Sequence, residues 1–91
     1  MEPVELDTRA AEGLIDSGRF EEAIAFLAER ARVERLDARG EFLLGLAFRR
    51  AGRPSEAVEA YRRCVALEPG VAVAWRGIAA LSFDLGNYAD V

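Results

Sequence analysis

The sequence predicts an all-α fold of stacked helical hairpins, and three observations predict it. The segments GRFEEAI, GRPSEAV and GNYADV begin at Gly18, Gly52 and Gly86, two equal spacings of 34 residues; a fixed period in this range marks a repeat architecture. In this register Glu22, Glu56 and Asp90 form one column and Ala23, Ala57 and Val91 the next. Each glycine follows a stretch of helical apolar period, and a composition of 52% apolar and 31% charged residues is that of a folded, soluble chain.

The elements follow in chain order. In the first copy, residues 4–37, Ala10, Ala11 and Leu14 precede Gly18, and Phe20, Ala23 and Leu27 follow it. In the second, residues 38–71, Phe42, Leu44, Leu46, Ala47 and Phe48 fall on two faces of one helix, so that helix is sandwiched. After Gly52, Ala57, Val58, Tyr61, Val65 and Leu67 trace one buried face, while Glu59, Arg62 and Arg63 turn outward, with Glu59 and Arg63 spaced for an i, i+4 ion pair. Glycine at each joint permits the positive φ that ends a helix, and Pro54 suits a first helical turn. Glu68-Pro69-Gly70 stops that helix before Ala72 opens another. This last helix spans residues 72–85 and ends in a turn at Gly86-Asn87, after which too little sequence remains for its partner.

A helix, a tight turn and a second helix at this period resemble the tetratricopeptide repeat. Leu44, Gly45, Phe48, Ala57, Tyr61, Cys64 and Pro69 fall where that family has large, glycine, aromatic, alanine, aromatic, alanine and proline residues; Glu41 stands in its tryptophan column, with Phe42 beside it. The first copy is looser, since Arg30 and Arg35 replace a small residue and proline. The third keeps Trp75, Ile78, Ala79, Gly86 and Tyr88 in register. The resemblance implies one domain over residues 1–91: a right-handed α-α superhelix of two full repeats, 4–37 and 38–71, and a partial third, 72–91.

The resemblance also implies a concave groove lined by the first helix of each repeat, which holds a peptide or a partner domain. Its columns fall on Glu5, Thr8, Glu12, Ile15 and Asp16, then Arg39, Phe42, Leu46, Arg49 and Arg50, then Val73, Arg76, Ala80, Phe83 and Asp84. Phe42, Leu46 and Phe83 either anchor a partner side chain or pack against one another between repeats. Arg39, Arg49 and Arg76 offer forked donors to an acidic group of the partner. Arg50 lies between Asp16 and Asp84 in an alternating ladder that satisfies itself. The clamp by which some members hold chaperone carboxylate tails would use Thr8, Glu12, Leu43, Val73 and Gly77, none of which carries the required donor.

No enzymatic chemistry is expected. The chain has no histidine and one cysteine, too few for a metal site or an internal disulfide; Cys64 lies on a buried helical track, and the resemblance puts Trp75 in the repeat's packing column, where it is structural. Glu21, Glu22 and Glu56 fall in first helical turns, where the dipole favours them, rather than converging as an acid and base pair. No cofactor is implied. A formal charge of −4, with arginine as the one basic residue type, argues against nucleic acid, and no apolar run reaches membrane-span length. An acidic start without a signal peptide makes cytoplasmic the expected location.

A rival reading starts from the last helix. Ile78, Leu81 and Leu85, with Ser82, face the place of its absent partner helix, so either a continuation of the chain or a second copy covers them. The first makes this the N-terminal part of a longer adaptor, the second a self-associating assembly domain.

Overall fold

The computed structural model describes the backbone of residues 3–89 and the side chains of residues 8–83. Five helices follow one another: α1 Pro3–Asp16, α2 Phe20–Val33, α3 Ala38–Arg50, α4 Pro54–Leu67 and α5 Ala72–Ala89. Each packs on its chain neighbours, and α1 also reaches α3. Among the described residues there is no strand, so the fold is the expected all-α helical repeat, an elongated body of 49 × 27 × 21 Å.

The two hairpin turns are built alike. Gly18 and Gly52 adopt φ of 81° and 79°, the left-handed conformation that a Cβ disfavours. Around Gly18, its N–H donates to the Ile15 carbonyl at 3.0 Å and Arg19 N–H to Leu14 at 2.8 Å; around Gly52 the same bonds run to Arg49 at 3.2 Å and from Arg53 to Phe48 at 2.9 Å. This paired pattern consumes carbonyls that a helix end leaves orphaned. Asp37 caps α3, its side chain accepting from Gly40 N–H at 2.8 Å. Glu21, Glu22 and Glu56 do lie in first turns. Arg53 joins two of these turns, donating to Glu21 of α2 at 2.9 Å and to Glu56 of α4 at 2.8 Å, with its guanidinium 5.0 Å from the Phe48 ring centroid.

The third turn is not made. α5 runs on through Gly86 and Asn87 to Ala89. The turns at Gly18 and Gly52 are each followed by an amphipathic helix that packs back, α2 and α4.

One core runs the length of the stack, with Ala11, Ile15, Ala23, Leu27, Leu44, Ala47, Ala57, Tyr61, Cys64, Ala74 and Leu81 among its members. Small residues at contact points let the helices approach, and burying a side chain such as Leu27 contributes about 1.5–3 kcal/mol. Tyr61, the largest fully buried side chain, is the wedge between repeats. A Cβ on Gly45 of α3 would lie 2.7 Å from one edge of its ring, and a Cβ on Gly77 of α5 would lie 2.7 Å from the opposite edge. One glycine from α3 and one from α5 thus make the slot that holds the Tyr61 ring between these helices. Gly77 stands one period after Leu43; an unexplained mid-helix glycine was the signal in the sequence, and the Tyr61 ring is its reason.

Several expected neighbours differ. Arg63 does not pair with Glu59 but donates from Nε to Glu41 of α3 at 3.0 Å. Glu41 is 7% exposed, and a carboxylate held that far from water needs a donor, whereas Glu59 is exposed and hydrated. The acid in the tryptophan column is therefore an internal ion pair. Trp75 is half exposed, its indole N–H donating to the Pro69 carbonyl at 2.8 Å. It holds the α4–α5 corner through its polar edge rather than by burial. Cys64 is fully buried as expected, while Arg30 in the same column of the first copy is only half-buried.

Candidate partner-binding groove

α1 lies against α3 while α5 packs on α4, and the structure sorts the expected groove residues into three groups. Thr8 and Ile15 of α1 are 7% and 3% exposed, so both face the core and not a partner. Glu12 and Asp16 remain at the surface, and with Arg39, Phe42 and Leu46 they edge a shallow trough between α1 and α3. Glu12 forms an ion pair with Arg39. Arg39, expected to receive a partner's acid, is instead neutralised by its own chain, because the diagonal between these helices brings the two ends together.

Phe42 and Leu46 are half-buried against the core, Phe42 with its ring 5.7 Å from Tyr61 at a 40° tilt. They therefore do pack within the protein, while still presenting part of their surface to the groove. Arg49 is exposed in the last turn of α3, close to the Tyr61 hydroxyl. Burial pushes the Tyr61 phenol above its ordinary value of 10.0, and Arg49 opposes that shift. No ion pair joins Arg50 to Asp16 among the described residues, so that half of the ladder is not formed; Asp84, like Glu5, lies outside the described side chains.

On α5, Val73, Arg76, Ala80 and Phe83 share one exposed face at i, i+3, i+7 and i+10. Val73 is 51% and Phe83 69% exposed, both far beyond what a helix buries for its own packing. Within residues 72–83 Arg76 is the one charged side chain. Among the described residues it pairs with no carboxylate.

The membership of the other face of α5 differs from that expected. Leu81 is 6% exposed, one period after the fully buried Ala47, and packs back on α4 with Ala74. Ile78 is half-buried against the same core, and Leu85 lies outside the described side chains. The uncovered positions are set by the repeat: Glu41, Leu44, Gly45 and Phe48 of α3 are buried, whereas Trp75, Ala79 and Ser82 of α5, one period later, are exposed and Ile78 only partly covered. Helical period alone could not separate these faces, because Leu81 and Ile78 are both apolar and sit only about 60° apart around the helix.

No group of three or more His, Cys, Asp or Glu able to hold a metal occurs among the described residues, and no helix among them is long and apolar enough to cross a membrane. The Cys64 thiol is raised above its ordinary value of 9.0, first by burial and then by the field of Glu68, Glu41 and Asp37. That is the environment of an inert thiol, not a nucleophile.

A family model for the tetratricopeptide repeat matches residues 38–81, from the start of α3 into α5. The chain matches no curated protein at a significant level.

Proposed function

With residues 38–81 belonging to the tetratricopeptide repeat family, we propose that the chain is a non-catalytic protein-interaction module that holds a segment of a partner protein across the faces of α1, α3 and α5, as an adaptor of the cytoplasm. The observation that carries this reading is the exposed stripe Val73, Arg76, Ala80 and Phe83 on α5, together with the half-buried Phe42 and Leu46 on α3. An apolar stripe that the fold does not cover, with a cation among its members, has the make-up of an interface core and its polar contacts. The test is selection from a displayed peptide library with the wild-type chain, followed by Phe83→Ser. Selected peptides should lose at least tenfold in affinity for the folded variant; undiminished binding removes the groove reading.

A second reading is favoured by a separate observation, the half-exposed Trp75 with Ala79 and Ser82 at positions that α3 buries. In it, that face of α5 takes a helix from elsewhere, either a continuation of the polypeptide or a second copy. Sedimentation equilibrium decides on the second copy: a strict monomer to millimolar concentration ends it.

A further inference from the structure

The two repeat corners are packed differently. At the second, the Tyr61 ring is fully buried and the half-buried Phe42 ring lies 5.7 Å from it. One period earlier the same columns hold Leu27 and Thr8, and Gly40 stands one period before Ala74. All three exchanges subtract volume at one place, and Thr8, Leu27 and Gly40 together line a cavity of about 140 Å³ walled by α1, α2 and α3. Arg30 and Leu36, which are larger than Cys64 and Gly70 in their columns, line this cavity without closing it. An apolar cavity of about 150 Å³ is enough to take a benzene ring.

We propose that this cavity is a docking pocket for one uncharged aromatic side chain, of phenylalanine size, presented by a partner protein. The second repeat supplies its own rings at the equivalent place; the first takes one from outside. Thr8, Leu27 and Gly40 are buried, so helix packing sets the walls before a partner arrives. The charges around the pocket balance, Arg30 and Arg35 against Glu34 and Asp37, and Asp37 already accepts from Gly40 N–H. Such a wall favours no ionic ligand, whereas a guanidinium attracts the face of a neutral ring. The inference rests on the reading of the chain as an interaction module, and not on the exposed stripe of α5.

The test titrates three probes into the isotopically labelled whole chain, followed by backbone NMR shifts: a capped pentapeptide with one phenylalanine among glycines, its leucine counterpart, and toluene. The phenylalanine peptide should give saturable shifts centred on Thr8, Leu27 and Gly40 and bind at least fivefold more tightly than the leucine peptide. Thr8→Phe installs the second repeat's residue. It should fold with an undiminished urea midpoint and weaken the phenylalanine peptide at least tenfold; Leu27→Phe plugs the pocket from the facing wall and should do the same. Phe83→Ser should leave this binding within twofold, so the pocket and the α5 stripe fail separately. Equal affinity for the two peptides, shifts centred elsewhere, or undiminished binding by a folded plugged variant overturns the proposal. So does failure of both plugged variants to fold, since the cavity then cannot accept a ring. Toluene shifting these amides when the phenylalanine peptide does not would assign the pocket to a free aromatic molecule and overturn the partner as its source.

Discussion

Substituting Gly77 by alanine isolates the wedge that sets the distance between α3 and α5. Inside a helix this change by itself stabilises by up to about 1 kcal/mol, because alanine has less backbone freedom to lose. Here the added Cβ would lie 2.7, 3.0 and 3.1 Å from Cε2, Cδ2 and Cζ of Tyr61. Carbon atoms rest at about 3.5–4.0 Å, so ring or helix must move by close to 1 Å. The ring has no slack: Tyr61 is 1% exposed, and its Cδ1 and Cε1 edge sits just as close to the Cβ position of Gly45. α5 must therefore lift off α4, at an overpacking cost of about 1–3 kcal/mol. The net expectation is a loss of about 1 kcal/mol, or roughly 4–8 °C in Tm for a chain of this size. Gly13→Ala is the control, since nothing lies within 4 Å of its Cβ and it should be neutral or stabilising. Urea unfolding followed by circular dichroism compares the two, and their difference of about 1–3 kcal/mol is the steric cost freed of helix propensity. The cost should shrink in a Tyr61→Leu background, where the ring is gone. If Gly77→Ala stabilises the protein as much as Gly13→Ala does, Tyr61 is not a wedge and the packing argument fails.

Other expectations follow from single contacts. Arg63→Ala strips the buried Glu41 of its donor and should cost about 1–3 kcal/mol in urea unfolding, several times the loss from Glu59→Ala. Asp37→Ala removes the cap of α3 and should cost about 1 kcal/mol; an unchanged midpoint with an unchanged slope would dismiss the cap. Cys64 should resist a thiol reagent in the native state at pH 8 and react at once in denaturant, since the fully buried sulfur is both shielded and raised in pKa. Because the folded values of Cys64 and Tyr61 lie above their ordinary 9.0 and 10.0, the folded state binds the more protons there, so their contribution to stability is complete below about pH 8 and falls as pH rises through those values. Unfolding midpoints at pH 7 and 10 measure the fall, and Cys64→Ala should make it smaller.

The candidate site was legible in the sequence as a set of columns and not as a set of partners. That Phe83, Arg76 and Val73 share an exposed face follows from helical spacing once the repeat register is known. That Arg39 is occupied, and that Thr8 and Ile15 are buried, does not follow, because each depends on how α1 leans across α3. The same holds for Arg63, which has a suitably spaced acid on its own helix and bonds a different one on its neighbour.

What this sequence determined by itself is local and periodic: helices, the glycine turns at Gly18 and Gly52, and the repeat that stacks them. Those rest on backbone conformation and on which side chains avoid water, both set by residues a few positions apart. Only the tertiary structure decided which face of α5 is covered, why Gly77 is glycine, why α5 passes through Gly86, and which arginines remain for a partner. These depend on distances between residues that the chain brings together only when the helices pack, and a difference of a few ångströms there separates an internal ion pair from a free cation.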